Sequence, residues 1–89
     1  MDAPRNLEVI SAALTTAGFS LLHTEVGSMD SGLADFSDGS RTIRVIKDRS
    51  QWMLEGERDQ LERAGLWRAF DDTQEFRDAL LAYISRATA

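Results

Sequence analysis

The segments joining the β-rich runs between Phe19 and Glu55 are short, and no other feature of this chain constrains its fold as much. A parallel pairing needs a crossover of about a dozen residues or more, so these runs can pair only as an antiparallel meander. The runs extend from Phe19 to Val26, Leu33 to Ser37, Arg41 to Asp48 and Gln51 to Glu55. Between them, Gly27-Ser28-Met29-Asp30-Ser31-Gly32 is a loop by composition. Asp38-Gly39 is a hairpin signal, and Asp48-Arg49-Ser50-Gln51 turns the chain again. Alternation puts Phe19, Leu21 and His23 on one face of the first run, with Leu22, Thr24 and Val26 on the other. In the third run, Arg41 and Lys47 share a face with Ile43 and Val45, while Arg44 and Asp48 flank Ile46. Trp52 and Leu54 share a face of the last run.

Helical periodicity brackets the meander. Leu7, Ile10, Leu14 and Ala17 recur at spacings of three and four, predicting a helix from about residue 4 to 17, with Asp2 as cap and Pro4 in the first turn. Gly18 fits the position after a helix, and Phe19 can pack back on its end. Asp72 followed by Glu75 starts a second long helix in capping-box manner. Phe76, Ala79, Leu80, Tyr83, Ile84 and Ala87 then trace one face of it. Between sheet and helix, a short helix near Asp59–Ala64, stopped by Gly65, competes with a loop reading. Leu66-Trp67-Arg68-Ala69-Phe70 anchors this connector. The fold class is α+β: one domain over residues 1–89, an antiparallel three- to four-stranded meander with the N- and C-terminal helices packed on one face. The other sheet face stays partly wet, so any apolar residue there gains interest.

Composition narrows the function classes. The chain is 43% hydrophobic and 28% charged, the mixture of a folded soluble domain. It has no cysteine, which favours a reducing compartment and hence the cytoplasm. No apolar run approaches membrane-spanning length, and the N-terminal residues carry no secretory pattern. Fifteen acidic against ten basic side chains make nucleic acid an unfavourable partner. A basic protein would be attracted instead.

The catalytic inventory is short. His23 is the only histidine, so no Cys/His zinc site can form, and no nucleophile elbow accompanies it. Its place on a strand face suits a surface or structural histidine. The stretch Met29–Asp35 does not follow the calcium-loop pattern, and no glycine-rich phosphate loop follows a strand. Asp71-Asp72 lies just before the last helix, where capping and dipole stabilisation account for it. The expectation is a non-catalytic chain without a cofactor or metal.

Binding features are better represented. Eight carboxylates fall between positions 55 and 78, against four arginines. From these, Glu55, Glu57, Asp59, Glu62, Asp71, Asp72 and Glu75, with Trp67, form the candidate partner-binding set. A carboxylate cluster of this kind is either a solvated face or a surface that meets a basic partner. Trp67 sits between Leu66 and Arg68 in a connector and is either an interface anchor or core filler. Arg41, Arg44, Lys47 and Arg49 crowd the third run, where protection of an edge strand explains them without a partner. Met29 and Met53 are core residues by default and adaptable contacts otherwise.

The segment Ile43-Arg44-Val45-Ile46-Lys47-Asp48-Arg49-Ser50-Gln51-Trp52 resembles a hairpin of small bacterial proteins, chiefly of actinobacterial type. Some of these are similar to immunity proteins of polymorphic toxin systems. Their turn reads Asp-Arg-Gly-Gln-Trp, whereas this chain has Asp48-Arg49-Ser50-Gln51-Trp52. The resemblance implies a compact acidic protein that binds and blocks a toxin, and it carries over no catalytic residue. With the acidic charge, the expected partner is a protein, a basic toxin or effector. Secretion chaperones and anti-CRISPR-like inhibitors share the same profile. The alternative from another class is a structural homodimer.

Overall fold

The computed structural model describes residues 4–88, with side chains up to Ser85. Helix α1 spans Leu7–Thr16 and is followed by strands β1 (Ser20–Val26), β2 (Gly32–Ser37), β3 (Thr42–Asp48) and β4 (Gln51–Leu54). Helices α2 (Arg58–Arg63) and α3 (Thr73–Thr88) complete the chain. The strands form one antiparallel sheet in the order β1-β2-β3-β4, the meander that the short connections require. The balanced reading of residues 59–64 resolves as helix.

α1 starts later than its periodicity suggests. Asn6 takes a left-handed φ of 66°, which breaks the helical path before Leu7. The expected cap, Asp2, lies outside the described residues. At the other end Gly18, with φ 97°, donates to the Thr15 carbonyl while the Phe19 N–H reaches the Leu14 carbonyl. This is a Schellman closure, and it folds Phe19 into the core at 2% exposure. α2 ends the same way. Gly65 donates to Glu62 and Leu66 to Leu61, and both leucines are buried.

The core lies between the helices and one face of the sheet. Leu7, Ile10 and Leu14 from α1 and Phe76, Leu80 and Ile84 from α3 meet Ala34, Phe36, Val45, Trp52 and Leu54 from the sheet. Trp52 is 1% exposed, stacks on Phe76 at 5.8 Å and donates its indole N–H to Thr73 Oγ1 at 2.9 Å. Its backbone N–H and carbonyl both pair with Phe70, so the connector after α2 closes that part of the β4 edge.

Two readings of the strands are corrected. A register shift between Leu21 and His23 places Leu21 opposite Phe36 and His23 opposite Asp35, so these residues lie on opposite faces. The extra residue of a bulge inverts alternation beyond it. β3 is an interior strand, so its cations do not protect an edge. Instead Arg44 grips Asp35 with two hydrogen bonds of 2.7 and 3.0 Å. Lys47, 3% exposed, reaches the Arg5 carbonyl at 2.8 Å and the Asp30 carboxylate at 3.2 Å, with its Nζ 5.0 Å from the centre of the Trp52 ring.

Candidate functional site

The residues singled out from the sequence are all on the surface, but the structure divides them. Glu62 is held by Arg58 at 2.9 Å and Glu75 by Arg68 at 2.7 Å. Asp71 accepts from the Gln51 amide, and Asp72 accepts from the Gln74 backbone N–H at the start of α3, in its expected capping place. These four are engaged within the chain. Glu55, Glu57 and Asp59 carry no side-chain hydrogen bond or ion pair among the described residues and line the connection from β4 into α2. Trp67 is 49% exposed, and the Arg58 guanidinium lies 5.7 Å from its ring centre, so the first turn of α2 borders it.

Beside Trp67 the chain opens a cleft of about 190 Å³ lined by Met53, Leu54, Leu66, Trp67, Arg68 and Ala69. Its origin is local. Phe70 is bonded to Trp52, and the residues just before it, 66–69, form the cleft together with Met53 and Leu54 of β4. Met53 belongs both to this cleft and to a shallow depression on the helix-free face of the sheet.

That face carries an organisation that the sequence reading missed. Leu33 lies opposite Ile46, and Ile46 opposite Met53, so three apolar side chains cross three strands in line. All three are partly exposed and stand outside the core cluster. Glu25 extends the row onto β1, and Asp48 lines the same depression. The parallel row is charged: His23 is opposite Asp35, Asp35 is opposite Arg44, and the Glu55 N–H donates to the Arg44 carbonyl. Arg44 holds the Asp35 carboxyl below its ordinary range, so the pair stays ionised. His23 meets Glu25 at 2.9 Å on the surface.

The apolar row could have been found in the sequence. Two-residue and four-residue turns at Arg49-Ser50 and Asp38–Arg41 fix which residues face one another, and each member of the row has polar neighbours two positions away. What hides it is that its three members come from three strands, each alone among those polar neighbours. Among the described residues no three histidine, aspartate or glutamate side chains converge to hold a metal, and no helix is long and apolar enough to cross a membrane. Comparison with protein-family models, with curated proteins and with solved structures finds no match for the chain.

Proposed function

We propose that this chain is a non-catalytic, protein-binding module of the cytoplasm, an inhibitor or immunity-type protein that covers and blocks a basic toxin or effector. The supporting observation is the helix-free sheet face, where Leu33, Ile46 and Met53 run in register toward half-exposed Trp67. Apolar side chains aligned outside a core stabilise a protein when another surface removes them from water, by about 25 cal/mol per Å². The carboxylates of Glu55, Glu57 and Asp59, which make no ion pair among the described residues, give that contact its sign. Glu62 and Glu75, paired with arginines, and Asp71 and Asp72, each accepting a hydrogen bond from a neutral donor, then serve the outer rim. The likeness of the Asp48–Trp52 turn to immunity-protein hairpins points to the same class.

The test is affinity capture with the tagged chain and with its Met53→Lys variant, followed by enzymatic or toxicity assay of whatever is retained. A single stoichiometric protein, retained by the parent, lost by Met53→Lys and blocked in its own activity by the parent, is the expected result. Equal retention by both chains removes the sheet face from the proposal. A second reading, self-association, draws on Leu21, Leu22 and Val26, which are 40%, 60% and 50% exposed on β1. Light scattering at low micromolar concentration separates it: a stable dimer that Leu22→Lys dissolves favours this reading.

A further inference from the structure

We infer that the occupant of the Leu33–Ile46–Met53–Trp67 surface is a basic amphipathic α-helix of the partner, an inference that rests on the partner-binding reading and specifies the partner's form. Any segment laid on the face of a sheet finds no ladder there and must satisfy its own backbone groups. A helix does so; an extended segment does not. The nearest edge where a strand could add is β4, and there the N–H and carbonyl of Trp52 are both taken by Phe70 at 2.8 Å. Spacing agrees. Neighbouring strands are about 4.8 Å apart, so the row presents apolar side chains at about that interval, at right angles to the strands. Side chains three and four apart on a helix recur every ~5–6 Å, whereas same-face residues of a strand recur nearly 7 Å apart.

Charge decides between a foreign helix and a second copy. The row ends at Glu25, is flanked by Asp48, and leads past Glu55 to Glu57 and Asp59, while Arg44 is committed to Asp35. The outward residues of α1 include Glu8, Ala12, Thr15 and Thr16, and those of α3 include Gln74, Glu75 and Asp78. Among the described residues the one basic side chain on these two helices, Arg77, is paired with Asp78 at 2.9 Å, so a second copy laying α1 or α3 on this surface would set carboxylates against carboxylates. A helix with lysine or arginine on both sides of its apolar stripe complements the surface, and its terminal apolar side chain can enter the cleft beside Trp67.

The experiment titrates the isotope-labelled full chain with three synthetic peptides of about 14 residues, a length of ~21 Å as a helix. The first places leucines at helical spacing with lysines opposite. The second has the same composition in strict alternation, and the third replaces lysine with glutamate. The expected result is that the first peptide shifts the amide signals of Leu33, Ile46 and Met53 and the Trp67 indole. Its affinity should fall at least tenfold in Met53→Lys and in Ile46→Thr, both checked for native signal dispersion, and the glutamate peptide should leave the signals unmoved. If the alternating peptide shifts these signals as strongly as the helical one, the helix assignment is overturned and the binding face stands. If the helical peptide perturbs only other residues, or none, the face itself is overturned.

Discussion

At the scale of single residues, this fold depends on a few side chains that hold unfavourable backbone in place. Arg49 and Ser50 both sit at positive φ, 50° and 70°, as a two-residue hairpin turn demands, yet neither is glycine. Ser50 is retained by its contacts: its hydroxyl donates to Asp30 Oδ2 at 2.7 Å and its N–H to the Asp30 carbonyl at 3.2 Å. Ser50→Ala keeps the left-handed strain, about 1–2 kcal/mol, and loses the hydroxyl bond. Ser50→Gly loses the same bond but relieves the strain. Thermal unfolding should therefore rank alanine lowest, with glycine above it; alanine at or above glycine would show that the strain is not borne at Ser50. Lys47 is the other tie, linking Asp30, the Arg5 carbonyl ahead of α1 and the Trp52 ring. Lys47→Met keeps the buried stem but leaves the Arg5 carbonyl and the ring face without their cation, at a cost of about 1–2 kcal/mol in urea unfolding.

Acid sensitivity follows from the same scale. Backbone N–H groups of Arg41 and then Ser40 hold the Asp38 carboxyl down to about 2. Asp30 is lowered mainly by Ser50 and Asp35 mainly by Arg44. A carboxyl whose folded pKa is depressed stabilises the protein above its ordinary value of 3.8, and that contribution disappears as pH falls through the folded value. The melting temperature should change little on account of these groups from neutral pH to about 5, then fall between about 4 and 2. Asp38→Asn retains an acceptor for the two backbone donors and removes the titration, so its melting temperature should fall less steeply below pH 4. Parallel curves for the two proteins would assign the loss to other groups.

At the scale of elements, periodicity was sufficient for both long helices and for the meander, because burial on one side writes a period of 3.6 or 2 into the residues. It was insufficient where one residue breaks the period. Asn6 ends the helical path by a backbone conformation that composition does not announce. Leu22, the residue added by the bulge, reverses the faces that plain alternation assigns to Leu21 and His23. Lys47 reads as a surface cation until the fold brings Asp30 and the Arg5 carbonyl to it from other elements. The apolar row was legible only in pieces, since Leu33, Ile46 and Met53 are contributed by three strands and acquire meaning from register. α2 shows how little can settle an element: among the described residues its one buried side chain is Leu61, packed under Gly56 and against Leu66 through the helix-end closure. Leu61→Ala should cost about 2–4 kcal/mol in urea unfolding, a large part of the stability of so small a domain. Because α2 carries Asp59 and borders Trp67, this variant should also bind the basic helical peptide more weakly under conditions where it remains folded.

At the scale of the whole molecule, the distribution of charge divides the labour between encounter and residence. Arg41, Arg44, Lys47, Arg58, Arg68 and Arg77 each have a carboxylate within the chain, while Arg5, Arg49 and Arg63 on one side, and Glu55, Glu57 and Asp59 on the other, make no ion pair among the described residues. Exposed charges of this kind steer a basic partner over about a Debye length, ~10 Å at 0.1 M salt, and add little once the surfaces have met. The apolar row behaves in the opposite way, since its contribution exists only after water has left the contact. Rates should therefore separate the two. With the lysine helix as probe, joint reversal of Glu55, Glu57 and Asp59 to lysine should slow association about tenfold at low salt and leave dissociation nearly unchanged. At 0.5 M salt that difference should largely vanish, because the Debye length is then only ~4–5 Å. Met53→Lys should accelerate dissociation at both salt concentrations. A charge-reversed chain whose slower association persists at high salt would mean that these carboxylates touch the partner directly, and would move them from the rim of the surface to its centre.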